Sequence, residues 1–162
     1  MVSQEKYDVI NTLGEKFDKE KKYNEIYYKT TQAKKVHFID NKYHNWSVFI
    51  NFDQFSFNID AEGQPNSIDF HNYLTEEDLQ YMKLQVKSQN SKKWIRSKLA
   101  ENIKLYKSKK SGFSNVLSEP VFSIDGKIAL VYWSSGGGAQ MNVYNKENGR
   151  WQLLGVIPLI FS

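Results

Sequence analysis

The sequence contains no cysteine, only three histidines and three prolines, and no long apolar run in its 162 residues. The missing thiols exclude disulfides, thiolate metal sites, cysteine-ligated iron–sulfur clusters and cysteine nucleophiles together. No stretch approaches the roughly 18 apolar residues that a membrane helix needs. The opening Met1-Val2-Ser3-Gln4-Glu5-Lys6-Tyr7 has no apolar leader core. As written, the chain is expected to be soluble and cytoplasmic, or periplasmic or surface-located if a removed leader preceded Met1.

What is present suffices for one core. Hydrophobic residues make up 40% of the chain and aromatics 15%, so residues 1–162 are expected to form a single α+β domain. The net charge of +4 is uneven: Lys83 to Lys110 carries ten basic residues against Glu101 alone. Such a segment marks either an anionic partner or the wet face of a helical segment.

Tyr7, Ile10, Leu13 or Gly14, and Phe17 recur at helical spacing and predict an amphipathic helix from Gln4 to Glu20, with Ser3 as its cap. From Tyr23 to Ile59, short aromatic and β-branched runs predict two to four antiparallel strands, including Glu25–Thr30, Val36–Ile39, Trp46–Phe52 and Phe55–Ile59. Residues 61–72 read as a loop. Thr75 followed by Asp78 is a capping-box start for a helix over Glu76 to Lys87. After a break at 88–91, Ile95, Leu99, Ile103 and Tyr106 predict a second helix, making a helical pair.

The C-terminal third reads as a four-stranded meander. Pro120–Ile124, Ile128–Trp133, Gln140–Asn145 and Trp151–Val156 are separated by Asp125-Gly126, a glycine-rich turn at 134–139, and Asn148-Gly149. Both two-residue turns suit type I′ geometry. Ile128–Trp133 has large apolar groups on both faces, which predicts a central strand covered on both sides. The expected fold is a twisted antiparallel sheet with the N-terminal helix and the central helical pair packed on one face.

The motifs Ser118-Glu119-Pro120-Val121-Phe122-Ser123, Asp125-Gly126-Lys127-Ile128-Ala129-Leu130-Val131-Tyr132 and Asn148-Gly149-Arg150-Trp151 resemble a group of small, mostly uncharacterised Bacteroidota proteins. Leu74-Thr75-Glu76-Glu77-Asp78 with Met82 and Gln85 is similar to the same group's central segment. That resemblance implies export or lipoprotein relatives and no particular activity. The helix-then-meander order, with Asn-Gly-Arg-Trp near its end, is more weakly similar to the nuclear-transport-factor-like cone fold.

Candidate chemistry is sparse. Ser134-Ser135-Gly136-Gly137-Gly138 has the composition of a phosphate cradle, yet both flanks read as strands and no Walker-type lysine follows, which favours a hairpin loop. His37, His44 and His71 lack metal-ligand spacing. Asp69 with His71, and Asp53, Asp60 and Glu62 nearby, read as loop chemistry unless a cleft gathers them. The best binding candidates are Lys92, Lys93, Trp94 and Arg96, which mix basic and aromatic character, and Tyr132 and Trp133. Core packing and amphipathic patterning explain the same residues. No metal or organic cofactor is expected. Three functions remain: a non-catalytic protein that contacts another protein, a small-ligand pocket protein or hydrolase of cone shape, and a nucleic-acid binder using residues 83–110.

Overall fold

A computed structural model describes residues 2–20, 25–32, 52–53, 56–57, 72–107, 115–135 and 138–160, with side chains placed for most of them. The chain is α+β. Helix α1 (Gln4–Glu20) leads into strand β1 (Glu25–Tyr27), the short hairpin β2 (Phe52–Asp53) and β3 (Ser56–Phe57), and helix α2 (Glu76–Lys87). Then come β4 (Lys104–Tyr106), β5 (Val116–Leu117), β6 (Val121–Phe122), β7 (Ile128–Ser135), β8 (Gly138–Glu147) and β9 (Arg150–Ile160).

The last four strands form the predicted antiparallel meander, with β5 added beside β6 on the same edge of β7. β7 is central and its residues alternate between two apolar clusters. Ala129, Val131 and Trp133 face a core made with Tyr7, Ile10 and Leu13 of α1. Ile128 and Leu130 face a second core made with Met82 of α2. The two helices therefore cover opposite faces of the sheet rather than one, because an alternating strand with large apolar groups on both sides needs a cover on each.

Both helices keep their predicted bounds. At α2 the Thr75 hydroxyl accepts the Asp78 amide while the Asp78 carboxylate accepts the Thr75 amide, closing the capping box at 3.1 and 2.9 Å. The expected second helix is not formed. Residues 96–98 make a single 3-10 turn, 104–106 a strand, and the backbone at Lys92, Trp94, Lys98 and Ala100 bonds to distant groups. Trp94 donates to the Tyr28 carbonyl at 2.9 Å and Thr30 to the Lys92 carbonyl at 2.7 Å. Asn11 of α1 accepts from the Ala100 amide and donates to the Lys98 carbonyl. The Arg96 guanidinium collects the carbonyls of Leu99, Ala100 and Glu101. These tertiary bonds satisfy the peptide groups that helix bonds would have used, and Ile95, on the predicted apolar stripe, stays exposed.

β1 differs as well. It runs parallel to β4, with Ile26 opposite Leu105, instead of joining an antiparallel set. On its other side the Tyr27 amide bonds the Asn115 carbonyl at 2.7 Å and the Thr31 amide the Leu117 carbonyl at 2.9 Å, so β1 links β4 to the β5 end of the main sheet. Val36–Ile39 and Trp46–Ile50 lie outside the described residues; β2 and β3 form a hairpin within the predicted strand region.

The two glycine turns are built differently. Asn148 and Gly149 both have positive φ, 51° and 76°, as a type I′ turn requires. Only Gly126 is positive at the other, φ 73°, and its amide bonds the Ser123 carbonyl at 3.0 Å, so that turn spans Ser123–Gly126 instead of a two-residue loop. Gly149→Val and Gly126→Val are each expected to lower stability by about 1–2 kcal/mol, the cost of forcing a β-branched residue left-handed. Thermal melts at the wild-type midpoint for both would contradict this.

Candidate functional site

The sequence-predicted residues do not meet on one surface. Trp94 and Trp133 are both buried in the α1-side core. The Trp94 ring packs edge-on against Tyr7 at 5.6 Å, and the Trp133 indole nitrogen donates to Asn115 Oδ1 at 3.0 Å. Tyr132, half-buried, packs with the opposite core. The two rings the sequence offered as a binding face thus serve packing.

The basic residues are spread likewise. Lys92 sits 3.4 Å from the Glu119 carboxylate, Arg96 holds carbonyls of its own loop, and Lys98 lies 5.6 Å over the Tyr7 ring. Lys93, Lys104 and Lys107 are exposed. Because 92–106 is not a helix, these cations do not share one helical face.

One buried carboxylate does draw charges together. Between β5 and β6 the edge strand breaks at Ser118-Glu119-Pro120, and Glu119 is 1% exposed. Lys6 of α1 approaches its Oε1 at 3.1 Å and Lys92 completes the cluster. The Glu119 carbonyl accepts from Gln89, just past the C-terminus of α2, at 3.0 Å. A carboxylate removed from solvent and flanked by two lysines ties α1, the segment that follows α2 and the β5–β6 edge together.

Beside β6, α2 does a strand's work with side chains. The Gln85 amide donates to the Phe122 carbonyl at 2.7 Å and accepts the Phe122 amide at 2.9 Å, while Asp78 accepts the Ile124 amide at 2.9 Å. A primary amide has the same donor–acceptor pair as a peptide, so Gln85 closes an edge that would otherwise be open.

A polar row crosses the other face. Gln140 donates to Asn142 at 2.8 Å, and Asn142 donates to the Tyr144 hydroxyl at 3.1 Å. Burial pushes Tyr144 from its ordinary 10.0 up to about 12, against the lowering by hydrogen bonds with Asn142 and Thr12. The unfolded chain then loses this proton first, so the contribution is intact below pH 10 and falls as pH rises from 10 towards 12. Tyr144→Phe should be less stable than wild type at neutral pH, because Asn142 loses a partner, and the gap should narrow above pH 10. Parallel stability curves across that window would exclude the effect.

An open cleft of about 270 Å³ lies between α1 and the β8–β9 turn, lined by Asp8, Asn11, Thr12, Lys146, Arg150 and Trp151 among others. Its polar groups are largely engaged already: Lys146 with Glu5 at 3.1 Å, Asp8 with Gln4, Thr12 with the Val9 carbonyl, and Asn11 with the 98–100 backbone. Among the described residues no three potential metal ligands converge. His37, His44, His71, Asp60, Glu62 and Asp69 lie outside those residues, as does the centre of the glycine-rich loop at 136–137.

No known protein family, curated protein or solved structure matches this chain. No helix among the described residues is long and apolar enough to cross a membrane.

What remains is the outer face of α2. Leu84 is 62% exposed, Tyr81 44% and Tyr73 39%, and Ile124, held to the first turn of α2 through Asp78, is 62% exposed. Four of the five large exposed hydrophobics among the described residues therefore belong to α2, its entry or the turn bonded to it. Sequence periodicity found the inward residues Leu79, Met82 and Val86. It passed over Tyr81 and Leu84, which sit at i, i+3 on the opposite side and carried the only signal, an apolar pair on a face that should be polar.

Proposed function

We propose that this protein is a non-catalytic binding protein, of the accessory or immunity type, which acts by contact with protein through the outer face of α2. The observation that carries this reading is the exposed Tyr81, Leu84 and Ile124 set. Aromatic and aliphatic groups gathered on one rigid element, anchored from behind by Met82, Gln85 and Asp78, form the sort of surface that loses least entropy on docking. Neither the engaged cleft nor the buried Glu119 cluster offers convergent free groups for the ligand-pocket reading.

The test is capture from a lysate of the native organism with wild-type protein and with Leu84→Glu and Ile124→Glu. Both positions are exposed, so the variants should fold, and partners should be lost from both. Capture that survives both substitutions moves the interface elsewhere and defeats the reading. Binding of oligonucleotides, steeply salt-sensitive and abolished by changing Lys92, Lys93 and Arg96 to Ala, would favour the nucleic-acid alternative; no such complex is expected.

A further inference from the structure

The outer face of α2 has two ridges at the same helical spacing. Glu77, Tyr81, Leu84 and Ser88 form one, and Glu76, Gln80, Lys83 and Lys87 the other, each at i, i+4, i+7 and i+11. The acidic groups occupy the first turn and a lysine the last. We infer that this face docks on the same face of a second copy of the chain, with the two α2 helices antiparallel about a two-fold axis. This rests on the reading of α2 as a contact surface and names its occupant.

Charge decides the occupant and the direction. Centred between Tyr81 and Leu84, Glu76 lies about 10 Å along the axis on one side and Lys87 about 7 Å on the other, from the rise of an α-helix. An antiparallel copy therefore brings Glu76 to Lys87 of the second copy, twice by symmetry, within the reach of both side chains. Both residues lie on the same flank, and a two-fold axis perpendicular to the helix pair places like flanks side by side. A parallel copy would set the two acidic first turns, Glu76 and Glu77 of each copy, against one another. The helix dipoles also favour the antiparallel arrangement. At the centre, Tyr81 and Leu84 of each copy cover one another, and Ile124 extends the apolar strip beside the first turn. Self-complementarity of this kind is what a closed two-fold interface requires.

Sedimentation of the purified full chain from low-micromolar to millimolar concentration tests this. A concentration-dependent dimer is expected, weakened about tenfold or more by Leu84→Glu with an unchanged circular dichroism spectrum. Glu76→Lys and Lys87→Glu should each weaken the dimer alone. An equimolar mixture of the two variants should restore it as a heterodimer, because each reversed charge then meets its opposite, while weakening by each variant alone marks the antiparallel arrangement, since a parallel copy already sets like charges together. A wild-type chain that stays monomeric throughout, a dimer insensitive to Leu84→Glu, or a mixture no tighter than the single variants overturns the inference. A monomer whose lysate partner is still lost on Leu84→Glu would sink the self-association alone, while a monomer with no Leu84-dependent capture would sink the proposed function with it.

Discussion

Replacing both Lys6 and Lys92 with Met is expected to cost about 3–5 kcal/mol of folding stability, the range for stripping partners from a buried charge. Glu119 is 1% exposed, whereas its lysines keep 25% and 34% of their side-chain surface in water. The asymmetry makes the outcome directional. Glu119→Gln leaves two ammonium groups that can turn to solvent and should cost less than the double lysine change. Adding Glu119→Gln to the double variant should recover more than half of the loss, since the uncompensated charge is then gone. Urea unfolding of the four proteins reads the cycle. A triple variant no more stable than the double would show that the lysines act through packing of their stems and not through Glu119.

Gln85→Leu is expected to destabilise the fold by about 2 kcal/mol or more, although it conserves volume and adds apolar surface. It leaves the Phe122 amide and carbonyl without their partner at a half-buried edge, and each such group costs about 1–3 kcal/mol when left unpaired. Gln85→Glu should fail to substitute, because a carboxylate accepts from the Phe122 amide but has no donor for its carbonyl. Hydrogen exchange offers the local readout: the Phe122 amide should exchange faster in Gln85→Leu than in wild type or Gln85→Glu. Wild-type protection in Gln85→Leu would mean that the edge is satisfied without α2.

The meander, its central strand and the two helix bounds were legible because their signals are local. Alternation from Ile128 to Trp133 states two buried faces, Thr75 with Asp78 states a cap, and Asn148-Gly149 states its own turn. Asp125-Gly126 shows the limit of the dipeptide. Ser123 supplies a hydroxyl to Asp125 at 2.6 Å and a carbonyl to Gly126, so four residues share the turn. The side-chain bond and the neighbouring Lys127 amide hold the Asp125 carboxyl below its usual value.

The segment at 92–106 failed for a different reason. Its helical spacing is real, but Asn11, Tyr7, Tyr28 and Thr30 supply its backbone with partners from up to 89 residues away, as in the Asn11 to Ala100 bond. No local pattern records that competition, and tertiary bonds override a modest propensity.

By itself, then, the sequence determined the class of the fold, the order of its C-terminal strands, the absence of thiol chemistry and the positions of both helices, since each depends on neighbours within a few residues. Only the tertiary structure decided that the helices take opposite faces, that Trp94 and Trp133 serve the core, that Glu119 is buried between two lysines, and that Tyr81 and Leu84 face outward. Those outcomes depend on which distant groups arrive to cover a face or neutralise a charge, and composition and periodicity along the chain do not encode such arrivals.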